Sequence, residues 1–140
     1  MKKLLIAGAA LLVAGQAFAA DVSGKLVLYT SQPNKDAQAT VDAFTAKHPG
    51  VEVEWVRDGT TKVMAKLRAE FEAGAPKPDV LLIADMVTME GLKKEGRLMA
   101  HKGADVSAYD PAIMDAEKTY FSTKLITTGI VYNTGAAEVP

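Results

Sequence analysis

The stretch Val51-Glu52-Val53-Glu54-Trp55-Val56-Arg57-Asp58-Gly59-Thr60-Thr61-Lys62-Val63-Met64-Ala65-Lys66-Leu67 carries two hydrophobic periods that meet at Gly59-Thr60-Thr61. Val51, Val53 and Trp55 alternate with Glu52 and Glu54, the period of two of a half-buried strand. From Val63 the period lengthens, and Val63, Met64, Leu67 and Phe71 fall on one face of an amphipathic helix. The junction therefore reads strand, turn, helix. Gly59 is expected to give the backbone a sharp reversal at positive φ, and Thr60 or Thr61 to cap the helix through a side-chain oxygen. Two roles for the turn stay open. It is a plain helix start, or its free N–H groups, the helix dipole and the threonine hydroxyls seat an anionic ligand group beside Lys62.

Upstream, Lys25-Leu26-Val27-Leu28-Tyr29 reads as a buried strand, followed by the turn residues Thr30-Ser31-Gln32-Pro33-Asn34. Ala37, Val41, Phe44 and Ala46 lie near helical spacing, and Pro49-Gly50 stops that helix. Downstream, residues 74–78 end the second helix, and Asp79-Val80-Leu81-Leu82-Ile83 is a continuous apolar run of the kind found in parallel strands covered on both faces. Ala84-Asp85 breaks it. Residues 86–95 then form a third helix with Met86, Met89, Leu92 and Lys93 on one side and Gly96 at its end.

Three strands alternating with three helices predict an α/β layer around a mainly parallel sheet. Ligands bind beyond the carboxyl ends of such strands, so residues 30–34, 58–62 and 84–86 are expected to border one crevice. Beyond residue 97 the signals weaken. Leu98, Ala100 and His101 resemble a sheet edge, and a short helix is expected within residues 111–116. Residues 123–134 are β-branched and alternate, which predicts a long strand with a bend at Gly129.

The ends and the composition narrow the function. Lys2-Lys3, an apolar core of about a dozen residues and Ala17-Phe18-Ala19 make residues 1–19 a cleaved signal peptide, too short in its apolar run to span a bilayer. Residues 20–140 are then the exported domain. Losing Lys2 and Lys3 moves the formal charge from −1 to −3, which disfavours nucleic acid as a partner. The absence of cysteine removes disulfides, zinc-thiolate sites and thiol nucleophiles. Neither a Gly-x-Ser-x-Gly elbow nor a His-Glu-x-x-His pair is present, so no nucleophile with its base is assigned and no enzymatic activity is expected.

Read in order, the signal, Leu26-Val27-Leu28-Tyr29-Thr30-Ser31, His48-Pro49-Gly50-Val51, Asp58-Gly59-Thr60-Thr61, Pro78-Asp79-Val80-Leu81 and Gly129-Ile130-Val131-Tyr132-Asn133-Thr134 resemble the extracellular solute-binding proteins of bacterial ABC importers. The likeness is to the branch that holds ferric-ion, thiamine and 2-aminoethylphosphonate binders. It implies a periplasmic-binding-protein type II-like fold of two lobes closing on a ligand, of which residues 20–140 are the amino-terminal lobe and the second lobe is absent. It also implies a periplasmic location, a small solute as ligand, a membrane permease as partner, and no cofactor.

The ligand divides the resemblance. Ferric binders carry a histidine after the first strand, where this chain has Ser31-Gln32-Pro33-Asn34. His48 and His101 lack neighbouring ligand residues and read as solvated, so no metal site is assigned. Ser31, Gln32, Gly59, Thr60 and Thr61 suit an oxyanion such as a phosphonate or phosphate. Asp85 either pairs with an ammonium group of the solute or caps the third helix. Thr127 and Thr128 either face the crevice, Thr128 being the ligand candidate, or fill a strand. A ferric-ion binder and a truncated, non-binding stub stand as the alternatives.

Overall fold

In a computed structural model of the chain, residues 22–127, 129–131, 133 and 135 are described. The expected signal peptide and Thr128 lie outside them. The elements run β1 (Ser23–Thr30), α1 (Asn34–Lys47), β2 (Gly50–Arg57), α2 (Thr60–Glu72), β3 (Val80–Leu82) and α3 (Met86–Lys94). The three strands form one sheet in the order β2-β1-β3, and both pairings are parallel. Leu28 of β1 lies between Trp55 of β2 and Val80 of β3. The expected α/β layer is therefore present, with β1 in the centre.

Leu28 and Tyr29 are adjacent on a strand and point to opposite faces, yet both are buried, so the sheet is covered on both sides at this level. α2 covers the Tyr29 face. Its Val63, Met64 and Leu67 are buried, as the helical period required, and Met64 and Leu67 meet Leu92 of α3 in one cluster flanked by Phe71, Leu81, Ile83, Met89 and Leu98. α1 packs against β2 and buries Ala37 and Val41, while Ala46 of the expected apolar set is exposed. Lower down, the Tyr29 face is open. Lys25 and Val27 of β1 and Glu54 and Val56 of β2 floor a hollow of about 750 Å³, with Lys66 and Lys77 on its rim.

After α3 the chain departs from the expected pattern. Residues 98–101 form no edge strand; the His101 N–H donates to the Lys118 carbonyl instead. The short helix is a single 3₁₀ turn, Pro111–Ile113, started by the Asp110 carboxylate accepting from Ala112 N–H at 2.8 Å. The long strand over residues 123–134 is not formed in its described part. Residues 122–127 have no regular structure, and Leu125, Ile126, Ile130 and Val131 are exposed. β-branched composition favours a pleated surface only when a neighbouring strand supplies partners, and here the nearest pairing is the isolated antiparallel bridge Met114–Phe121.

What fastens this segment is polar. The Lys93 ammonium lies 2.6 Å from Asp115 Oδ1, and Asp115 Oδ2 accepts from Thr119 N–H at 3.1 Å and from Thr119 Oγ1 at 2.6 Å. Tyr120 adds a hydroxyl donated to Glu90 Oε2 at 2.9 Å. These bonds tie the irregular chain back onto α3.

Candidate ligand crevice at the strand ends

All three strands end on one edge of the sheet, at Thr30, Arg57 and Leu82, because all three run parallel. Thr30 is the fixed point of that edge. It is fully buried, its hydroxyl donates to the Leu82 carbonyl at 2.9 Å and accepts from Gln32 N–H at 3.1 Å, and its own carbonyl accepts from Asp58 N–H at 3.3 Å. Ser31 N–H donates to the Leu82 carbonyl at 3.0 Å, and Arg57 Nε donates to the Gln32 carbonyl at 2.9 Å. The loops after β1 and β2 and the end of β3 are thus stitched together by hydrogen bonds through Thr30, Ser31 and Arg57.

Within this edge the candidate residues differ in what they offer. Ser31 Oγ is buried and has no hydrogen-bond partner among the described residues. A buried hydroxyl without a partner is uncommon in a folded protein and marks a place where a further polar group fits. The Gln32 side-chain oxygen accepts from the Lys124 ammonium at 2.7 Å.

The turn before α2 corrects the expectation at Gly59. Its φ is −58° and its ψ 150°, an ordinary extended conformation, and a Cβ there would meet nothing within 4 Å. No reversal at positive φ is needed. Neither Thr60 nor Thr61 caps the helix; Gly59 is the N-cap, its carbonyl accepting from Lys62 and Val63 N–H, and its N–H donating to Asp58 Oδ1 at 2.7 Å. A glycine in this position supplies no side-chain oxygen, so the first-turn amides go without one. Among the described residues, the N–H groups of Thr60 and Thr61 have no acceptor.

α3 starts differently. Asp85 is its N-cap, with Oδ1 accepting from Thr88 N–H at 2.6 Å and Oδ2 from Thr88 Oγ1 at 2.9 Å, so both carboxylate oxygens are engaged within the cap. Of the two roles open to Asp85, capping is the one the geometry displays. The start of α1 has Pro33 as N-cap and, like α2, no side-chain cap. Two uncapped helix starts and one capped start therefore border the same edge.

Beside β3 the edge opens into a cleft of about 250 Å³. Leu81, Ile83, Met89, Phe121 and Ile126 are among its apolar lining, and Gln32, Asp85 and Lys124 among its polar lining. Lys124 also reaches Asp36 Oδ2 at 2.7 Å, and that hydrogen bond, with the ammonium's charge, holds the Asp36 carboxyl below its usual range. Sequence reading missed Thr30 as the organiser, Arg57 as the cross-loop donor and Lys124 altogether. Thr30 and Arg57 were within reach, since each stands where a predicted strand gives way to its loop. Lys124 was not, because its partners stand about ninety positions earlier.

The histidines lie away from these loops. His48 follows the far end of α1, its ring 4.8 Å from that of Phe44, and His101 is exposed in the segment after α3. Among the described residues, no group of three or more His, Asp or Glu side chains is placed to hold a metal ion.

The model of the family "Bacterial extracellular solute-binding protein" matches residues 29–139, well over half the chain. The chain belongs to this family. The matched span begins in β1 and takes in every loop of the crevice. A comparison with curated proteins gave no match. As a bacterial extracellular solute-binding protein, the chain has solute capture as its role, in a family that binds its solutes without transforming them, outside the cytoplasmic membrane. The strand-end crevice, and not the larger hollow on the sheet face, is where such a fold presents its loops to a ligand.

Proposed function

We propose that this solute-binding protein captures a small anionic solute with a phosphonate- or phosphate-like group at the strand-end crevice and delivers it to the membrane permease of an ABC importer. The observation that carries the reading is the start of α2, where Thr60 and Thr61 present N–H groups without acceptors, together with the buried, unpartnered Ser31 hydroxyl in the loop after the neighbouring strand β1. N–H groups at a helix start favour negative charge through direct hydrogen bonds and the helix dipole. Ser31, Gln32, Gly59, Thr60, Thr61 and Thr128 are the proposed contacts, Gly59 offering its N–H only if that group leaves Asp58 Oδ1. Asp85 joins them only if its carboxylate leaves Thr88 for an ammonium group of the solute. The chain reaches the periplasm through a leader at residues 1–19, and residues 20–140 form one lobe of a two-lobed binder of the ferric-ion, thiamine and 2-aminoethylphosphonate branch.

Titration calorimetry with inorganic phosphate, methylphosphonate, 2-aminoethylphosphonate and ferric ion tests this reading. Binding of the phosphonates that weakens in Thr60→Ala and Thr61→Ala supports it. Ferric ion bound in preference to every anion, with no effect of the threonine substitutions, replaces it with the metal-binding alternative. Binding of none of the four leaves the chain a non-binding stub.

A further inference from the structure

Lys124 stands at the lip of the crevice on a segment that comes from the other end of the chain. Its ammonium is 2.7 Å from Gln32 Oε1 and 2.7 Å from Asp36 Oδ2, the first in the loop after β1 and the second in the first turn of α1. We propose that Lys124 is the side chain that meets the solute's anionic group, and that Asp36 and Gln32 hold its ammonium in place until the solute takes it from Asp36. This rests on the anion reading of the crevice and adds a residue to it.

Three observations separate Lys124 from an ordinary fastening. It lines the cleft beside β3, and neither Arg57 nor Lys62 does. The Lys124–Asp36 pair is about half exposed on both sides, whereas the Asp115 side chain in the Lys93 pair is 6% exposed. An exposed pair contributes little to stability and exchanges partners readily, while a buried one does not. Finally, its ammonium keeps a donor in hand. The Lys124 ammonium has three N–H donors and spends two here, so one remains for a ligand before any bond is broken.

The exchange makes opposite demands on the two partners. Asp36 competes with the incoming anion for the ammonium and repels it; Lys124 attracts it. A mere strap between Lys124 and Asp36 would give both substitutions the same sign.

The test is titration calorimetry of the chain at low ionic strength with inorganic phosphate and methylphosphonate as probes, on the parent, Lys124→Gln, Lys124→Arg and Asp36→Asn, with thermal melts of each. The expected result is binding weakened roughly tenfold or more in Lys124→Gln, as for a lost hydrogen bond to a charged group. Lys124→Arg should keep most of the affinity, Asp36→Asn should bind a few-fold tighter, and all four should melt alike. Parent-like binding by Lys124→Gln, or weakening by both Lys124→Gln and Asp36→Asn, overturns the role of Lys124 and leaves the anion crevice standing. A parent that binds neither probe overturns both.

Discussion

The ammonium of Lys93 and the carboxylate of Asp115 meet at 2.6 Å beneath a surface that leaves Asp115 only 6% exposed. The Lys93 bond foremost, and then the Thr119 hydroxyl, hold the Asp115 carboxyl far below the usual carboxylate range, against the opposing effect of burial. A carboxylate whose value falls on folding adds stability that is present above its unfolded value, near 3.9, and is lost as pH falls toward the folded one. Urea denaturation from neutral pH down to about pH 3 should therefore show stability declining below about pH 4. Asp115→Asn should be less stable at neutral pH and show a shallower acid decline. It should not abolish the decline, because the carboxyls of Asp36, Glu70 and Glu95 are also held low. An unchanged acid slope would mean the clasp is not formed in solution.

Leu67 and Leu92 are almost completely buried in the cluster that joins α2, α3 and β3. Leu67→Ala and Leu92→Ala should each cost about 2–5 kcal/mol, from the lost transfer free energy and the cavity left behind. Because both line one cluster, the double variant should fall short of the sum or exceed it. Val87 lies on α3 but is 83% exposed, and Val87→Ser should move the denaturation midpoint within about 0.5 kcal/mol of the parent.

Gly50 faces Ser23 in the β1–β2 register, and a Cβ there would come within 2.8 Å of the Val22 carbonyl oxygen and 3.1 Å of Ser23 Cβ. Backbone cannot swing aside as a side chain does. Gly50→Ala should therefore cost about 1–3 kcal/mol, the range for overpacking, and should speed amide hydrogen exchange first at residues 23–25 and 50–52. Equal stability in parent and variant would count against this register.

Gly59→Asp separates folding from binding. The space around Gly59 is open and its φ is negative, so the new side chain fits and can cap α2, adding a few tenths of a kcal/mol. The same carboxylate would occupy the Thr61 N–H, at the second position of the helix, and repel an anion. A variant that melts slightly higher and no longer binds methylphosphonate is the expected outcome; undiminished binding would exclude the α2 start from the site.

Elements announced by periodicity were legible in the chain. The change of period across Gly59 located β2 and α2, and the run from Asp79 to Ile83 located β3, because each pattern reflects burial of that element's own face. The crevice followed, since three parallel strands must end together. Gly59 was misread because a glycine before a helix serves equally as an N-cap at negative φ and as a reversal at positive φ, and composition does not separate the two. Residues 123–127 were misread for a different reason. Their β-branched side chains state a preference, while pairing depends on a neighbour that local sequence does not name. Asp115 and Lys124 were invisible since each acts through a partner on another element, and nothing in their immediate surroundings marks them as different from solvated loop residues.

The all-parallel order β2-β1-β3 also fixes a sequence of events in time. β1 is the first strand to emerge in synthesis, yet no hairpin can pair it, and its second neighbour comes late: Thr30 meets Leu82 across 52 residues. Closing that span costs roughly 0.6 kcal/mol more entropy than the span to β2, which is about half as long. β2 should dock first, leaving one flank of β1 with a row of unpaired amides open to another chain. That flank is paired over Leu28–Thr30 by a strand of three residues, Val80–Leu82. The aggregation hazard of this protein during its first moments thus rests on how soon those three residues arrive.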